Sequence, residues 1–513
     1  MESLTSVKTQ SWLSWFLRGI AILIFLILLA RIFELQIIKG NYFRMLAEEN
    51  RIRHIRIPAP RGKILARGGE VLVGNIEVEN STNEQKEWAR NYPLGSALGH
   101  VGGYLGEVSE SEVGKIDPKC PEKGPRGLGD LIGRGGLEEV YDCRLRGVDG
   151  EKLIEVDSKG RLVRILGTKE PSTGDDLRTN IDFKLQRQVA KDMGSRKGAI
   201  IVSDPEGSIL ALFSSPSFDP DQIKEALKNP DLPFFNRAIS GRFPPGSVFK
   251  PVVAIAALEE GKIDKDYTYD DPGVIKVDKF SYKNWYFTQY GKLEGKIDLI
   301  RAITRSTDTF FYKLGEMIGP DTLASWVNKF GLGETTGIDL PAEAAGLIPT
   351  PSWKEKFKGE RWFLGNTYHM AIGQGDLLLT PLEVNTMTSI LASGGKLCSP
   401  KIVEKTHCRN LNLRKENLEL VKKGMEGACS SGGTAFPFFD FTPKVACKTG
   451  TAETTDYTQP HAWFTVYGPS EMSDGEPEIV VTVIVEHGGE GSYVAAPIAR
   501  KIFDYWFSSE NKP

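Results

Sequence analysis

The chain has 513 residues, which is long enough for roughly two to four folded domains. Its 40% hydrophobic and 26% charged residues are typical of a globular protein. A net charge of −3 and a pI near 6.2 argue against nucleic-acid binding, because nucleic-acid-binding proteins gather an excess of lysine and arginine on one face.

Residues 12–33, WLSWFLRGIAILIFLILLARIF, are strongly apolar. They supply about the 20 residues that a helix needs to cross a bilayer, with Trp12 and Trp15 placed for one membrane interface. A cleaved signal peptide is the alternative, but the end of the stretch lacks a small-x-small cleavage pattern. We therefore expect an uncleaved single-pass anchor. Basic residues flank both ends, so the charge pattern does not set its orientation.

Residues 40–75 are basic and alternating, as in NRIRHIRIPAPRGKIL at 50–65, where isoleucine alternates with charged residues; this predicts an extended strand pair leaving the membrane. The polar stretch VENSTNEQKEWARN follows at 78–91, and glycine-rich sequence continues to residue 150. This composition predicts loops and short elements, too small for a large catalytic domain. Residues 40–172 are therefore predicted to form a small domain after the anchor.

The composition changes near residue 175, where a second domain is predicted to begin and to extend to residue 513. GAIIVSDPEGSILALFSS, residues 198–215, predicts an antiparallel hairpin. Near the C-terminus, VACKTGTAE, HAWFTVYGP and EIVVTVIVEHGG predict three more strands, and APIARKIFDYWF predicts a last helix. Because helical segments separate the two groups of strands, we predict an α/β (α+β) domain whose sheet combines distant parts of the chain.

PPGSVFKP, residues 244–251, places Ser247 three positions before Lys250. The prolines and glycine predict a helix that begins at the serine, which would put its hydroxyl and the lysine amine on one face. Serine is also a common helix N-cap, and a chain of this length contains about two such spacings by chance. Ser393 and Lys396 are another example, so the pair needs independent support.

A serine nucleophile needs a base. The chain has no G-x-S-x-G motif and no histidine close to a candidate serine, which disfavours a Ser-His-Asp hydrolase. If Lys250 is the base, its pKa must fall from about 10.4 toward 7 to 8. Burial lowers a lysine pKa, and a second cation, for which we expect Lys448, does the same. Gly450, in the same strand, would let a substrate backbone approach the strand edge.

Three motifs follow in order: Ser247-x-x-Lys250, Ser306-Thr307-Asp308 and Lys448-Thr449-Gly450. This set resembles the penicillin-binding proteins and class A β-lactamases. Longer stretches, spread from the membrane segment to the C-terminal strands, resemble class B penicillin-binding proteins in particular, and the resemblance extends over nearly the whole chain: RIFELQIIKGNYFRMLAEENRIR, GRGGLEEVYDCRLRGVDG, NRAISGRFPPGSVFKP, RSTDTFFYKLG, AIGQGDLLLTPLE and KTGTAE.

The resemblance implies a transpeptidase domain of the penicillin-binding protein and β-lactamase type at 175–513, with an antiparallel sheet flanked by helices. It also implies a β-rich pedestal at 40–172, shorter than is usual, and a transmembrane anchor at 12–33. The tail at 1–11 would be cytoplasmic and the catalytic domain extracytoplasmic. Asp308, where many members have Asn, and residues 349–367 are similar to elongation-type penicillin-binding protein 2, which acts in cell shape.

By position, the resemblance implies that Ser247 attacks the terminal D-Ala-D-Ala of a peptidoglycan stem peptide and that Lys250 takes its proton. Ser306 would relay a proton to the leaving D-alanine. The amine of a neighbouring stem peptide would then attack the acyl-enzyme and form the cross-link, with or without carboxypeptidase activity. β-Lactam antibiotics would mimic the donor and stay attached.

Substrate binding is implied for the third motif. Lys448 and Thr449 would hold the substrate carboxylate beside Gly450 and Thr451, and the N–H groups of Ser247 and Thr451 would form the oxyanion hole. Asp308 is expected among the catalytic residues, paired with Lys448, because a carboxylate on Lys250 would raise its pKa. Strand alternation should turn Cys447 away from Lys448 and into the core.

No cofactor or metal is expected. No cysteine or histidine lies between the first two motifs, where some relatives carry a cluster of them, and no C-x-x-C pair occurs in the chain. Six cysteines in so long a chain argue against a disulfide scaffold, although one or two bridges, such as Cys120 with Cys143, stay open. The implied partners are stem peptides, β-lactams, the membrane and a membrane glycosyltransferase of the SEDS type.

Two other functions stay open. A β-lactamase or a β-lactam sensor domain shares the three motifs, but a β-lactamase is secreted without a pedestal and deacylates quickly. A non-catalytic cell-wall scaffold would not need intact motifs. The region before residue 170 lacks the pattern of a second catalytic domain, which disfavours a bifunctional synthase with its own glycosyltransferase.

Overall fold

The computed structural model describes residues 10–79, 86–454, 459–470 and 475–508. The helices in this part of the chain are α1 Gln10–Phe33, α2 Gly40–Arg51, α3 Gly99–Gly102, α4 Gly136–Val140, α5 Asp142–Leu145, α6 Phe183–Met193, α7 Ile223–Ala226, α8 Lys250–Glu259, α9 Trp285–Tyr290, α10 Leu299–Arg305, α11 Asp308–Ile318, α12 Pro320–Lys329, α13 Pro351–Lys358, α14 Leu364–Ala371, α15 Pro381–Ala392, α16 Lys415–Ala428 and α17 Ala495–Phe507.

The strands are β1 Ile52–Ile57, β2 Ile64–Leu65, β3 Val71–Glu79, β4 Lys86–Asn91, β5 Tyr104–Glu107, β6 Leu131–Arg134, β7 Gly150–Val156, β8 Leu162–Lys169, β9 Leu177–Arg178, β10 Gly198–Ser203, β11 Ile209–Ser215, β12 Thr268–Asp271, β13 Val274–Val277, β14 Phe280–Lys283, β15 Gly295–Asp298, β16 Lys396–Cys398, β17 Cys408–Asn410, β18 Ala446–Ala452, β19 His461–Gly468 and β20 Ile479–Val485.

The chain forms two compact units. The first contains the residues up to 60 together with 147–174, and the second contains 61–146 together with the residues from 175 onward. The proposed division into a pedestal at 40–172 and a transpeptidase domain at 175–513 stays a prediction, because compactness alone does not define functional domains.

The first unit begins with an apolar helix. Residues Trp12–Ile38 are long and apolar enough to cross a membrane, with a mean hydropathy of 2.5. After α2, β1 pairs antiparallel with β7, which pairs antiparallel with β8. The predicted strand pair is confirmed only in part: β2 and β3 pair antiparallel, but Gly40–Arg51 are helical and the partner of β1 comes from a distant part of the chain.

The second unit contains a small sheet in the order β4-β3-β2-β9. Residues 78–91, predicted to be loops, contribute to the β3–β4 hairpin, and residues 80–85 lie outside the described part of the chain. Nearby, buried Glu138 binds Arg61 at 2.7 Å and Arg90 at 2.6 Å. The buried Glu138 carboxylate thus joins two arginines that lie far from it in sequence.

The main sheet of the second unit is antiparallel, in the order β11-β10-β20-β19-β18. Helices α8, α10, α11, α15 and α16 contribute to the core on one face, and α6 and α17 pack on the other. The predicted α/β fold, with a sheet assembled from both ends of the domain, is confirmed. Strand β18, which carries the third motif, lies at the edge of this sheet, next to the helical core.

Three disulfides join Cys120 with Cys143, Cys398 with Cys408, and Cys429 with Cys447. The Cys120–Cys143 bridge, which the sequence left open, is present, whereas the argument against a disulfide scaffold did not anticipate that all six cysteines pair. Low cysteine density does not exclude pairing, because a bridge depends on how close the fold brings two Cα atoms. Cys429 follows α16 and Cys447 lies in β18, and packing of this helix on this strand places their Cα atoms 5.9 Å apart.

Candidate functional site

The first motif forms the entry to α8. Gly246–Phe249 make one 3-10 turn, and the α-helix continues from Lys250. Gly246 has φ +58°, and a Cβ there would come within 3.0 Å of the carbonyl oxygen of Thr451. The predicted helix start is therefore right to within one short turn, and the glycine lets this turn pack directly on β18.

The second motif lies between α10 and α11. Ser306 has φ +57°, a left-handed conformation that costs a non-glycine residue roughly 1–2 kcal/mol. Its N–H donates to Ile303 at 3.1 Å, and the N–H of Thr307 donates to Ala302 at 2.9 Å. This connection ends α10 abruptly and directs the Ser306 side chain toward both lysines.

A buried polar centre joins the three motifs. The Lys250 amine donates to Ser306 Oγ at 3.1 Å, to the Ser306 carbonyl at 2.8 Å and to Asp308 Oδ1 at 2.7 Å. The Lys448 amine donates to the same Ser306 Oγ at 2.9 Å and to the Thr449 carbonyl at 3.0 Å. Both lysine side chains are fully buried. The Ser306 hydroxyl therefore links two buried amines, which suits a proton relay.

The predicted pairing of Asp308 with Lys448 is wrong, because Asp308 pairs with Lys250. Asp308 is the first residue of α11 and Lys250 the first of α8, and these two helices pack together. Lys448 approaches from β18 and binds Ser306 instead. The residue spacing could not reveal which of the two amines the carboxylate would meet.

Burial lowers the pKa of Lys250, and the Asp308 carboxylate opposes that change. Burial also lowers the pKa of Lys448, well below its usual value, and the charge of Lys250 lowers it further. Two buried amines therefore lie near one carboxylate, and that carboxylate is hydrogen-bonded to Lys250 rather than to Lys448. This arrangement favours a neutral amine, as a general base requires.

A cavity of about 1090 Å³ lies over this centre. Ser247, Ser306 and Asp308 line it together with Thr449 and Thr451. Lys250 and Lys448 lie beneath its surface. Among the described residues the Ser247 hydroxyl has no hydrogen-bond partner, so it is not paired with the Lys250 amine. Catalytic hydrogen bonds are often loose before substrate binds.

Gly450 has a structural role that the sequence did not reveal. A Cβ there would come within 2.9 Å of the Trp463 Cβ and 3.0 Å of Val248 Cγ1. The glycine therefore lets the turn that carries Ser247 pack against β18. The described lining of the cavity does not include Gly450, and its predicted contact with substrate stays a prediction.

Sequence reasoning missed several residues at the cavity. Thr434 Oγ1 lies 2.8 Å from Thr449 Oγ1, and Gln374 donates to the Thr451 carbonyl at 3.2 Å. Aromatic side chains line two walls, with Trp285, Tyr286 and Tyr290 from α9, and Phe436 and Tyr493 from two other loops. No spacing rule links these residues, because they come from α9 and from segments near residues 374, 434 and 493 that lie far apart in the chain.

Cys447 is fully buried in the core beneath the sheet, as predicted, and is bonded to Cys429. One metal-like cluster occurs among the described residues, formed by Asp117 with Cys120 and Cys143. The disulfide between the two cysteines removes the thiolates that would bind an ion.

We expect the Asp308→Asn variant to react with benzylpenicillin at a maximal rate within about tenfold of the parent, with the acid limb of its pH profile at lower pH. The Asp308 charge raises the pKa of Lys250, so its removal makes the amine neutral at lower pH. The acylation rate measured from pH 5 to 9 checks this. An acid limb displaced to higher pH would contradict it.

Two family models match the chain. The penicillin-binding protein transpeptidase domain matches residues 198–504, and the penicillin-binding protein dimerisation domain matches residues 80–179. The peptidoglycan D,D-transpeptidase MrdA of Acinetobacter baumannii is 30% identical, covering 97% of this chain and 88% of that protein.

Solved structures are similar over most of the chain. Penicillin-binding protein 2 of Helicobacter pylori, solved in complex with MreC, is 27% identical with a TM-score of 0.77, covering 89% of this chain and 98% of that one. A second similar chain comes from a peptidoglycan synthase complex that coordinates polymerization and crosslinking. It is also 27% identical with a TM-score of 0.77, covering 98% of this chain and 99% of that one. All three motifs lie inside the matched transpeptidase range.

Proposed function

Because the chain belongs to the class B penicillin-binding proteins and is a peptidoglycan D,D-transpeptidase similar to penicillin-binding protein 2, we propose that Ser247 is its nucleophile in cell-wall synthesis. The serine attacks the carbonyl of a terminal D-Ala-D-Ala, D-alanine leaves, and the amine of a second stem peptide attacks the acyl-enzyme. Penicillin acylates the same serine and stays attached.

Proton transfer is assigned to the buried centre. Lys250 takes the proton of Ser247 as the serine attacks. Ser306 relays a proton to the nitrogen of the leaving D-alanine, since its hydroxyl contacts both amines. Asp308 holds Lys250 in place through the 2.7 Å hydrogen bond. The shared Ser306 hydroxyl is the observation that carries this proposal, because it connects the two lysines beneath the Ser247 cavity.

Substrate binding is assigned to β18. Lys448 and Thr449 are proposed to hold the terminal carboxylate of the donor, since the Thr449 hydroxyl lines the cavity above the buried Lys448 amine and an incoming carboxylate favours the protonated amine. Thr451 follows on the same strand edge, and Gly450 keeps the edge close to the Ser247 turn. The N–H groups of Ser247 and Thr451 are proposed as the oxyanion hole, since the 3-10 turn of Ser247 packs on the strand at Thr451.

The test is the covalent adduct with benzylpenicillin. Intact mass of the full chain in detergent should show one stable adduct, and peptide mapping should place it on Ser247. Location of the adduct elsewhere would exclude Ser247 as the nucleophile. An adduct that disappears within minutes would favour a β-lactamase, whereas no adduct would favour a non-catalytic scaffold. A Ser247→Ala variant provides the matched control and should stay unmodified.

We also propose that Trp12–Ile38 anchors the chain with the tail before it in the cytoplasm and the catalytic domain outside. Three disulfides support an oxidising compartment for the residues after the anchor. Protease added to spheroplasts should digest the catalytic domain. Protection of that domain would reverse the orientation.

A membrane partner is proposed as well. A similar chain is part of a peptidoglycan synthase complex that coordinates polymerization with crosslinking, and another was solved with MreC. Our chain shows no second catalytic domain pattern, so a membrane glycosyltransferase of the SEDS type would supply the glycan strands. Co-purification of the full chain with such a glycosyltransferase, lost on deletion of residues 12–33, tests this. Retention without the anchor would place the contact elsewhere.

A further inference from the structure

Asp271 is a buried carboxylate that receives four hydrogen bonds from neutral donors. Its Oδ1 accepts from the Gly273 N–H at 2.9 Å and from Thr309 Oγ1 at 2.6 Å. Its Oδ2 accepts from Asn284 Nδ2 at 3.1 Å and from the Glu294 N–H at 3.0 Å. The residue is only 3% exposed, and no cation pairs with it within the ranges that the structure describes.

A buried charge without a cation is a costly way to stabilise a fold, because a neutral group of similar shape avoids the desolvation of the charge. Four well-placed donors instead indicate that the carboxylate fixes the positions of the groups around it. Those groups belong to the turn after β12, the loop before β15, the start of α9 and the start of α11.

A single residue, Asn284, connects Asp271 to the catalytic centre through hydrogen bonds. Asn284 is fully buried, and while its Nδ2 donates to Asp271, its Oδ1 accepts from the Asp308 N–H at 3.3 Å. Thr309, the next residue of α11, donates to Asp271 directly. Asp271 therefore holds the first turn of α11 from two sides.

The orientation of the Asp308 carboxylate follows from this arrangement. Asp308 Oδ2 accepts from the Trp285 N–H at 3.1 Å, and Trp285 comes directly after Asn284 in the chain. With Oδ2 held there, Oδ1 faces Lys250 at 2.7 Å. Both contacts of the Asp308 carboxylate therefore depend on Asn284, which precedes Trp285 in the chain and accepts a hydrogen bond from the Asp308 N–H.

We propose that Asp271 and Asn284 are positioning residues for acyl transfer, which hold the carboxylate of Asp308 against Lys250. This inference rests on the proposed function and adds to it a control of the general base by residues that lie outside the three motifs. We refer to Asp271, Asn284 and Thr309 as the clasp.

The charged groups that face Lys250 determine how loss of the clasp should change the pH at which its amine becomes neutral. Asp308 faces it from α11 and Lys448 from β18, while the Phe311 ring lies 5.2 Å from its amine. Asp308 opposes the effect of burial on the pKa of Lys250. If the carboxylate turns away, the amine becomes neutral at lower pH. Misplacement of the base should also slow the reaction.

The experiment compares Asp271→Asn with Asp270→Asn in the full-length chain. Asp270 is the exposed neighbour on the same strand, so its variant makes the same chemical change outside the clasp. We expect Asp271→Asn to lower the maximal rate of acylation by benzylpenicillin by up to about tenfold and to move the acid limb to lower pH. Asp270→Asn should match the parent in both.

A double-variant comparison separates positioning from a general loss of structure. In an Asp308→Asn background no charge is left for the clasp to hold, so adding Asp271→Asn should not move the acid limb further. An unmoved acid limb in the single variant would overturn the proposal. So would a further displacement of the limb in the double variant.

Thermal unfolding of each variant shows whether it is folded. If Asp271→Asn does not fold, Thr309→Val removes one donor with little change of shape and should produce the same displacement of the acid limb. Failure of the proposed function gives a different result, because the parent itself would then lack an adduct on Ser247. A displaced limb in Asp308→Asn but in neither clasp variant overturns the clasp alone.

Discussion

The Lys250→Met variant is expected to react with benzylpenicillin about 10²- to 10⁴-fold more slowly than the parent, which is the usual contribution of a general base. Methionine fills much of the space of the lysine stem beside Phe311 but cannot accept a proton. Rates from quenched reactions followed by intact mass would measure the loss. Because Asp308 loses its cation, the thermal unfolding midpoint should be recorded for the same sample.

Lys396 offers a matched control for this variant. It stands three residues after Ser393, in the same spacing as the catalytic pair, but its amine binds Glu206 at 2.9 Å on the surface. Lys396→Met should therefore acylate at the parental rate. If Lys250→Met retains more than about a tenth of the parental rate while folded, another group must accept the serine proton.

Removal of the Cys429–Cys447 disulfide is expected to lower the free energy of unfolding by about 3 kcal/mol, since the bridge closes a loop between residues 18 positions apart. Both cysteines are buried, so a Cys429→Ala, Cys447→Ala variant also loses core contacts. Denaturant unfolding of the soluble part from residue 40 would measure the change. Folding of this part should first be verified by its acylation.

The Cys398–Cys408 bridge is the control for this change. It closes a shorter loop, between residues 10 positions apart, at the two-stranded β16–β17 sheet, and Cys408 is exposed. Its double alanine variant should lose less stability. Equal losses would show that burial of the Cys429–Cys447 bridge adds nothing. Loss of the Cys429–Cys447 bridge should also slow acylation more than loss of the Cys398–Cys408 bridge does, because Cys447 directly precedes Lys448 in β18.

The fold shows where sequence patterns were sufficient. The hairpin at 198–215 and the three C-terminal strands were predictable because each alternates or is continuously apolar over its own length. The anchor was predictable because length and hydropathy alone decide whether a helix can span a bilayer. In contrast, β1 finds its partner about 100 residues away, and no local pattern records that pairing.

Some residues of the candidate site were likewise predictable from the sequence, and others were not. Ser247, Lys250, Ser306 and Lys448 could be chosen from the sequence, since their types and spacings carry the chemistry and the resemblance to a family. The partner of Asp308 could not, because two lysines compete for it and the packing of α11 on α8 decides between them. Thr434 and the clasp were also missed, since each depends on loops that meet only in the folded domain.

The sequence by itself therefore determined the class of protein, an apolar helix long enough to cross a membrane, the strands of the main sheet and the candidate reactive residues, all of which depend on local composition or on short motifs. Only the tertiary structure decided which carboxylate faces which amine, which cysteines pair, and that Asp271 stands behind Asp308. These features depend on distances between residues far apart in the chain, and such distances are set by the packing of whole elements rather than by any local preference.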